Sequence, residues 1–240
     1  MERFIFPTYA ELIQALAAEL VDQAQQEVRA KGFVTIALSG GSTPQGLYRL
    51  LATPFWRAQI PWSRCWIVFG DERAVGPHHP DSNYAAAWNT LLQHIDVPAH
   101  QLMRIHGELG AVAAASDYRE RLHDHLPGQG AYDYPQLDIV LLGMGEDGHV
   151  ASLFPCGDEL QSLETVVAVD APADASPPVA RVSLTLPVFN QARFLVILAS
   201  GQRKMDLQDK IQSQRKECRD LPAARLRPQG AAAWYLSRMA

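Results

Sequence analysis

Cysteine is scarce. Cys65, Cys156 and Cys218 stand far apart in 240 residues, and no two form a CxxC pair. An odd, scattered set argues against a disulfide framework and against a cysteine zinc site, and fits a reducing compartment. Long apolar runs are missing too, since none approaches the ~20 residues that a membrane helix needs. Basic stretches are absent, and the formal net charge is -5. Such a chain suits neither nucleic acid nor an anionic membrane. The opening MERFIFPTYAEL carries an acid early and has no small-residue cleavage site after an apolar core. No signal peptide is expected from it, so a cytoplasmic location is. There is no repeat, no low-complexity tract and no linker, which predicts a single domain over residues 1–240.

What is present alternates between strand and helix patterns. Thr8 and Glu11 predict a capping box, followed by a helix to about Lys31 with Leu12, Leu16, Leu20 and Ala24 on one face. Residues 33–38, 66–69 and 137–142 read as apolar strands. So do 166–169, 181–186 and 194–199, expected to complete the same sheet, with 234–236 a final short strand. Helices are expected over 45–51, 82–93, 111–126 and 202–214. Ala171 to Pro178 reads as a surface loop. Continuous apolar strands divided by helices predict an α/β fold, a mostly parallel sheet with helices on both faces.

In such sheets ligands bind beyond the carboxyl ends of the strands. Four segments with polar chemistry stand at or near expected strand ends: Ser39–Thr43, Gly70–Arg73, Gly143–His149 and Ser200–Lys204. Their convergence on one cleft is the central expectation. Gly40 and Gly41 allow a tight turn with exposed N–H groups, and Ser42 and Thr43 add hydroxyls at a helix N-terminus, which suits a phosphate. Without a GK[ST] ending this is not a nucleotide loop. Taken alone, it fits a capped strand–helix turn slightly better. Lys204 and Arg181 read singly as solvated charges; beside a phosphate turn they become its partners.

Gly143–Gly148 matches GxGxxG, and Asp170 follows at about the dinucleotide spacing. Pro155 and Gly157 interrupt the helix that a dinucleotide site requires, so no nucleotide cofactor is expected. Asp147 and His149 sit two residues apart in a glycine-flanked turn. They fit a base with an orienting carboxylate, and equally a structural histidine. Asp71 and Arg73 fit the reacting end of a site, Arg73 facing a developing oxyanion, or else a surface ion pair. Adjacent Glu72 points elsewhere if the backbone is extended. His78-His79, and His123 with His125, lack zinc-site spacing. Ser152 lacks a nucleophile elbow.

The ordered set Leu38–Pro44, Asp71-Glu72-Arg73, Ser82-Asn83-Tyr84, Leu141–Pro155, Arg181–Pro187 and Ser200-Gly201 with Lys204 resembles the 6-phosphogluconolactonase family. The resemblance spans nearly the whole chain. It implies a Rossmann-like domain shared with glucosamine-6-phosphate deaminases. It also implies metal-free hydrolysis of 6-phospho-glucono-1,5-lactone, a phosphorylated sugar lactone, without a cofactor. By the same resemblance His149 is the general base and Asp147 its neighbour. Gly40, Gly41, Ser42, Thr43, Arg181 and Lys204 grip the phosphate, and Asp71 and Arg73 line the reacting end. The deaminases carry a glutamate five residues after the histidine. Phe154 stands there in this chain, which favours the lactonase over the isomerising deaminase. A non-catalytic sugar-phosphate sensor of the repressor type would bring a DNA-binding helix-turn-helix, and no segment here is spare for one.

Overall fold

The computed structural model describes residues 1–238 apart from 127, 130–132 and 174. The strands are β1 (Glu2–Phe6), β2 (Val34–Leu38), β3 (Cys65–Phe69), β4 (Asp71–Arg73), β5 (Gly128–Gln129), β6 (Tyr134–Pro135), β7 (Ile139–Gly143), β8 (Val166–Val169), β9 (Arg181–Leu184), β10 (Phe194–Ser200) and β11 (Ala231–Ser237). The α-helices are α1 (Tyr9–Lys31), α2 (Ser42–Leu51), α3 (Pro54–Arg57), α4 (Asn83–Thr90), α5 (Ala111–His125), α6 (Leu186–Asn190), α7 (Gln202–Gln212) and α8 (Pro222–Arg225). Six parallel strands form the main sheet in the order β1-β11-β10-β7-β2-β3. Every residue of β2, and residues 139–142 of β7, are buried. Successive side chains point to opposite faces, so burial of all of them requires cover on both faces. Among the described residues, no helix is long and apolar enough to cross a membrane.

Local chemistry sets the element boundaries. Thr8 and Glu11 form the expected capping box of α1: Thr8 Oγ1 accepts from Glu11 N, and Thr8 N donates to Glu11 Oε2. Gly32 ends the helix at φ 87°, in the left-handed region that glycine enters without penalty. Leu12, Leu16, Leu20 and Ala24 face the core.

Several expectations need correction. The runs at 166–169 and 181–186 do not join the main sheet. β8 and β9 form a separate antiparallel sheet with β4, with Asp71 opposite Ser183 and Arg73 opposite Arg181. The chain leaves the main sheet at Gly70, whose carbonyl accepts from Leu184 N at 2.8 Å. Polar β4 then serves as edge partner for apolar β9, while α5 packs on β8 and β9. β1 was not anticipated; it is an edge strand whose exposed Phe4 and Ile5 break the inside–outside alternation. α2 starts at Ser42 rather than 45, with Pro44 in its first turn. α4 stops at Thr90, short of residue 93.

A buried carboxylate ties the amino end of the sheet. Asp138, 1% exposed, accepts from Thr35 N (2.7 Å), Thr35 Oγ1 (2.9 Å) and Lys31 Nζ (2.5 Å), with Arg193 Nε at 3.3 Å. It joins β2, β7 and the end of α1, at the opposite end of the strands from the glycine turns. Removing one partner of such a set leaves buried donors unpaired. We expect Asp138→Ala to cost about 3 kcal/mol in urea unfolding, moderated because Lys31 and Arg193 keep water contact. Asp138→Asn, which can still serve Thr35, should cost less. Activity per folded molecule should stay near wild type in both.

Candidate active site

The main sheet reverses its winding between β2 and β7. From β2 the chain proceeds to β3 on one side; from β7 it proceeds to β10 and β11 on the other. The two strands are parallel neighbours, with Ile36 opposite Ile139. The loops at their carboxyl ends therefore diverge and leave a crevice. Ser39 spans its base: Gly143 N donates to Ser39 Oγ at 3.2 Å. Buried Tyr48 fixes the backbone there, its hydroxyl accepting from Ser39 N at 2.9 Å and donating to Ser39 O at 2.8 Å. Gly41 takes φ 90° as the N-cap of α2 and supplies no side-chain cap. The first-turn N–H groups of α2 thus lack the usual capping oxygen and suit an anion. Tyr9 steadies this turn from behind by donating to Thr43 O.

After β7 the chain makes a closed turn. Gly145 N donates to His149 O at 2.9 Å, and Gly148 N donates to Gly145 O at 3.1 Å. The side chains of His149 and Asp147 lie directly over Gly145. A β-carbon on that glycine would stand 2.3 Å from His149 Nδ1 and 2.4 Å from Asp147 Oδ1. Nδ1 of His149 is 2.7 Å from Asp147 Oδ1. An ionised carboxylate only accepts, so in the neutral imidazole Nδ1 carries the hydrogen and Nε2 is left with the lone pair. Burial works to raise the Asp147 carboxyl, but the hydrogen bonds and charge of His149 outweigh it and hold Asp147 below the usual carboxylate range. Phe154 packs its ring 5.0 Å from that of His149, and the Arg181 guanidinium sits 5.5 Å from the same ring.

The small sheet delivers the third wall. Asp71 is 5% exposed and accepts from Ser152 Oγ at 2.6 Å and Asn83 Nδ2 at 3.2 Å. A surface ion pair therefore does not describe it. Glu72 points away from the crevice and accepts from Arg73 N, Ser82 Oγ, Asn83 N and Tyr84 N at 2.7–2.9 Å. It thereby pins the start of α4 to β4, although burial still raises its carboxyl above the usual range. Arg73 donates to Asp81 O, and Arg181 to Pro177 O. Nε of each is buried without a partner. Burial pushes the Arg181 guanidinium below its usual range, and the charge of Arg73 adds to this. Burial likewise lowers Lys204, against the pull of Glu146 and Asp147.

These walls enclose a cavity of ≈ 200 Å³. Gly40, Gly41, Ser42, Thr43, Asp71, Arg73, His149, Arg181 and Lys204 all line it. Asp147 does not; it stands behind His149, half exposed. Ser39, Gly143, Met144 and Gly145, from the segments expected to converge here, also line the cavity, as do Asn83 and Ala151, to which no role had been given from the sequence. In sequence Asn83 reads only as a residue near the start of the helix expected over 82–93, which hides its second role. A larger hollow of ≈ 360 Å³ beside Ile211, Pro228 and Trp234 gathers one cation, Arg227, and no acid–base pair. Among the described residues, no three His, Cys, Asp or Glu side chains group so as to hold a metal ion.

The cleft's residues lie within a sequence with close counterparts. The sequence model of the family described as glucosamine-6-phosphate isomerases/6-phosphogluconolactonase matches residues 7–234. A 6-phosphogluconolactonase of Haemophilus influenzae is 33% identical, covering 100% of this chain and 98% of its own length. One from Nostoc sp. is 31% identical over 98% of this chain and 95% of its own. The crystal structure of 6-phosphogluconolactonase from Leishmania guyanensis superposes with a TM-score of 0.84 at 30% identity, covering 98% of this chain and 96% of that one. With a match across nearly its whole length, this chain belongs to the glucosamine-6-phosphate isomerase/6-phosphogluconolactonase family.

Proposed function

We propose that this chain, as one domain over residues 1–240, hydrolyses 6-phospho-D-glucono-1,5-lactone to 6-phospho-D-gluconate, the lactone-opening step of the pentose phosphate pathway. One observation carries the reading: His149, oriented by Asp147 behind it, shares a cavity with a bare helix N-terminus and with cations that pair with no carboxylate among the described residues. Relatives across the full length bear the corresponding name. Phe154, packed between His149 and Arg181, leaves no second carboxylate at that point, which supports the lactonase over the deaminase. The scattered free cysteines fit a cytoplasmic enzyme.

The chemistry follows from the groups. The first turn of α2, Arg181 and Lys204 hold the phosphate, far from the reacting carbon. His149 Nε2 takes a proton from a water as its oxygen adds to the lactone carbonyl, while Asp147 steadies the imidazolium that forms. Arg73 stabilises the tetrahedral oxyanion. As that oxygen re-forms its double bond, the bond from C1 to the ring oxygen breaks. His149 returns its proton to the departing oxygen. Asp71, held by Ser152 and Asn83, sets a fixed negative charge near Arg73 and Arg181. No covalent intermediate and no metal or cofactor enters this scheme.

Acid release from freshly made lactone, compared with the spontaneous rate, tests the activity. In that assay His149→Ala should lose ~10²–10⁴-fold, the usual contribution of a general base, with the fold retained by circular dichroism. Gly145→Ala, which crowds the His149–Asp147 pair from below, should lose activity in the same direction. Near wild-type turnover by folded His149→Ala would remove histidine from its role.

The phosphate grip is tested by substrate comparison. Unphosphorylated gluconolactone should be a much poorer substrate. Truncating Arg181 should weaken phosphorylated-ligand binding by roughly 2–5 kcal/mol, and truncating the more open Lys204 by less. Both variants should treat the unphosphorylated lactone almost as wild type does. Equal losses on the two lactones would point to damaged folding rather than a lost anion contact.

A further inference from the structure

Asn83 lines the cavity and is only 3% exposed. Its amide nitrogen donates to the backbone oxygen of Asp71 at 2.9 Å and to Asp71 Oδ1 at 3.2 Å. Its backbone N–H is held by Glu72. Turning the amide over would set its oxygen against two acceptors, so its orientation is fixed. The other end, Oδ1, is buried with no hydrogen-bond partner. It rests against Gly40, where a β-carbon would come within 1.9 Å of it.

An acceptor left unpaired in a protein interior costs stability, and native structures keep few. Here Arg73 and Arg181 Nε, two spare donors on the same cavity's residues, are also unpaired and do not satisfy it. A hydroxyl of a ligand held in the cavity would supply the missing donor. An amide oxygen repels phosphate and carboxylate oxygens but accepts from a hydroxyl. The wall at Asn83 thus differs in sign from the wall formed by Arg181 and Lys204. We propose that Asn83 Oδ1 accepts a hydrogen bond from a ring hydroxyl of the bound phosphosugar lactone, making Asn83 a specificity-determining residue. This rests on the substrate assigned above. Gly40 belongs to the same device, because any side chain there would occupy the space beside the acceptor.

The test pairs enzyme variants with substrates that each lack one ring hydroxyl. kcat/KM is measured for the parent lactone and its 2-, 3- and 4-deoxy counterparts, with wild type and Asn83→Ala. Asn83→Ser, which keeps a donor for Asp71 but withdraws the amide oxygen, is the second variant should alanine fail to fold. Wild type should lose roughly 10–100-fold on one deoxy lactone. In the Asn83 variant that difference should shrink to within about threefold, because the hydroxyl's partner is already gone. If the variant loses the same factor on all four lactones, Asn83 has a structural role and the proposal is overturned. Wild type inactive on the parent lactone would overturn the substrate assignment itself, and this proposal with it.

Discussion

The parallel pairing of β2 with β7 is the constraint on which this molecule's chemistry depends. It sets two strand ends side by side at the point where the sheet reverses, and the Gly143–Ser39 hydrogen bond locks them together. From that junction one strand leads into a bare helix N-terminus, the other into the turn that carries His149. The groups proposed for binding and proton transfer thus stand just beyond the ends of two buried, paired strands. Asp138 secures the same two strands at their far end, so the junction is held at both ends.

Charge balance distinguishes the cleft from the rest of the surface. The molecule is acidic overall, yet Arg73, Arg181 and Lys204 line one small cavity. Asp71, the carboxylate among them, is committed to Ser152 and Asn83 and makes no direct bond to any of the three. Burial makes the Arg181 and Lys204 charges costly and pushes both groups below their usual range. An incoming phosphate would offset that cost, which on the proposed reading favours the anionic substrate over its neutral counterpart. The acceptor on Asn83 stands against this cationic field and gives the cavity a polar direction.

Much of this was legible in the sequence, and the failures have physical causes. β2, β3, β7 and β10 are buried on both faces, so they appear as continuous apolar runs. The Gly143–His149 turn was legible because its glycines and its Asp-x-His spacing answer to local geometry. The second sheet was not. Arg181–Leu184 has the composition of a core strand, and its partner Asp71–Arg73 has that of a loop; only their pairing across the fold reveals both. Ser152 was read only as a serine without a nucleophile elbow, and its bond to Asp71 spans 81 positions and leaves no local pattern. Asn83 escaped for a related reason: the start of a helix accounts for its neighbourhood without requiring any further role.

The most direct measurement is a crystal structure of the chain with 6-phospho-D-gluconate bound. The account predicts the phosphate at the first turn of α2, with the Arg181 and Lys204 side chains within direct or one-water reach. It places the carboxyl carbon toward His149 Nε2 and Arg73. A phosphate bound on another face of the sheet, or reversed so that it meets His149 while the carboxylate fills the glycine turn, would contradict it.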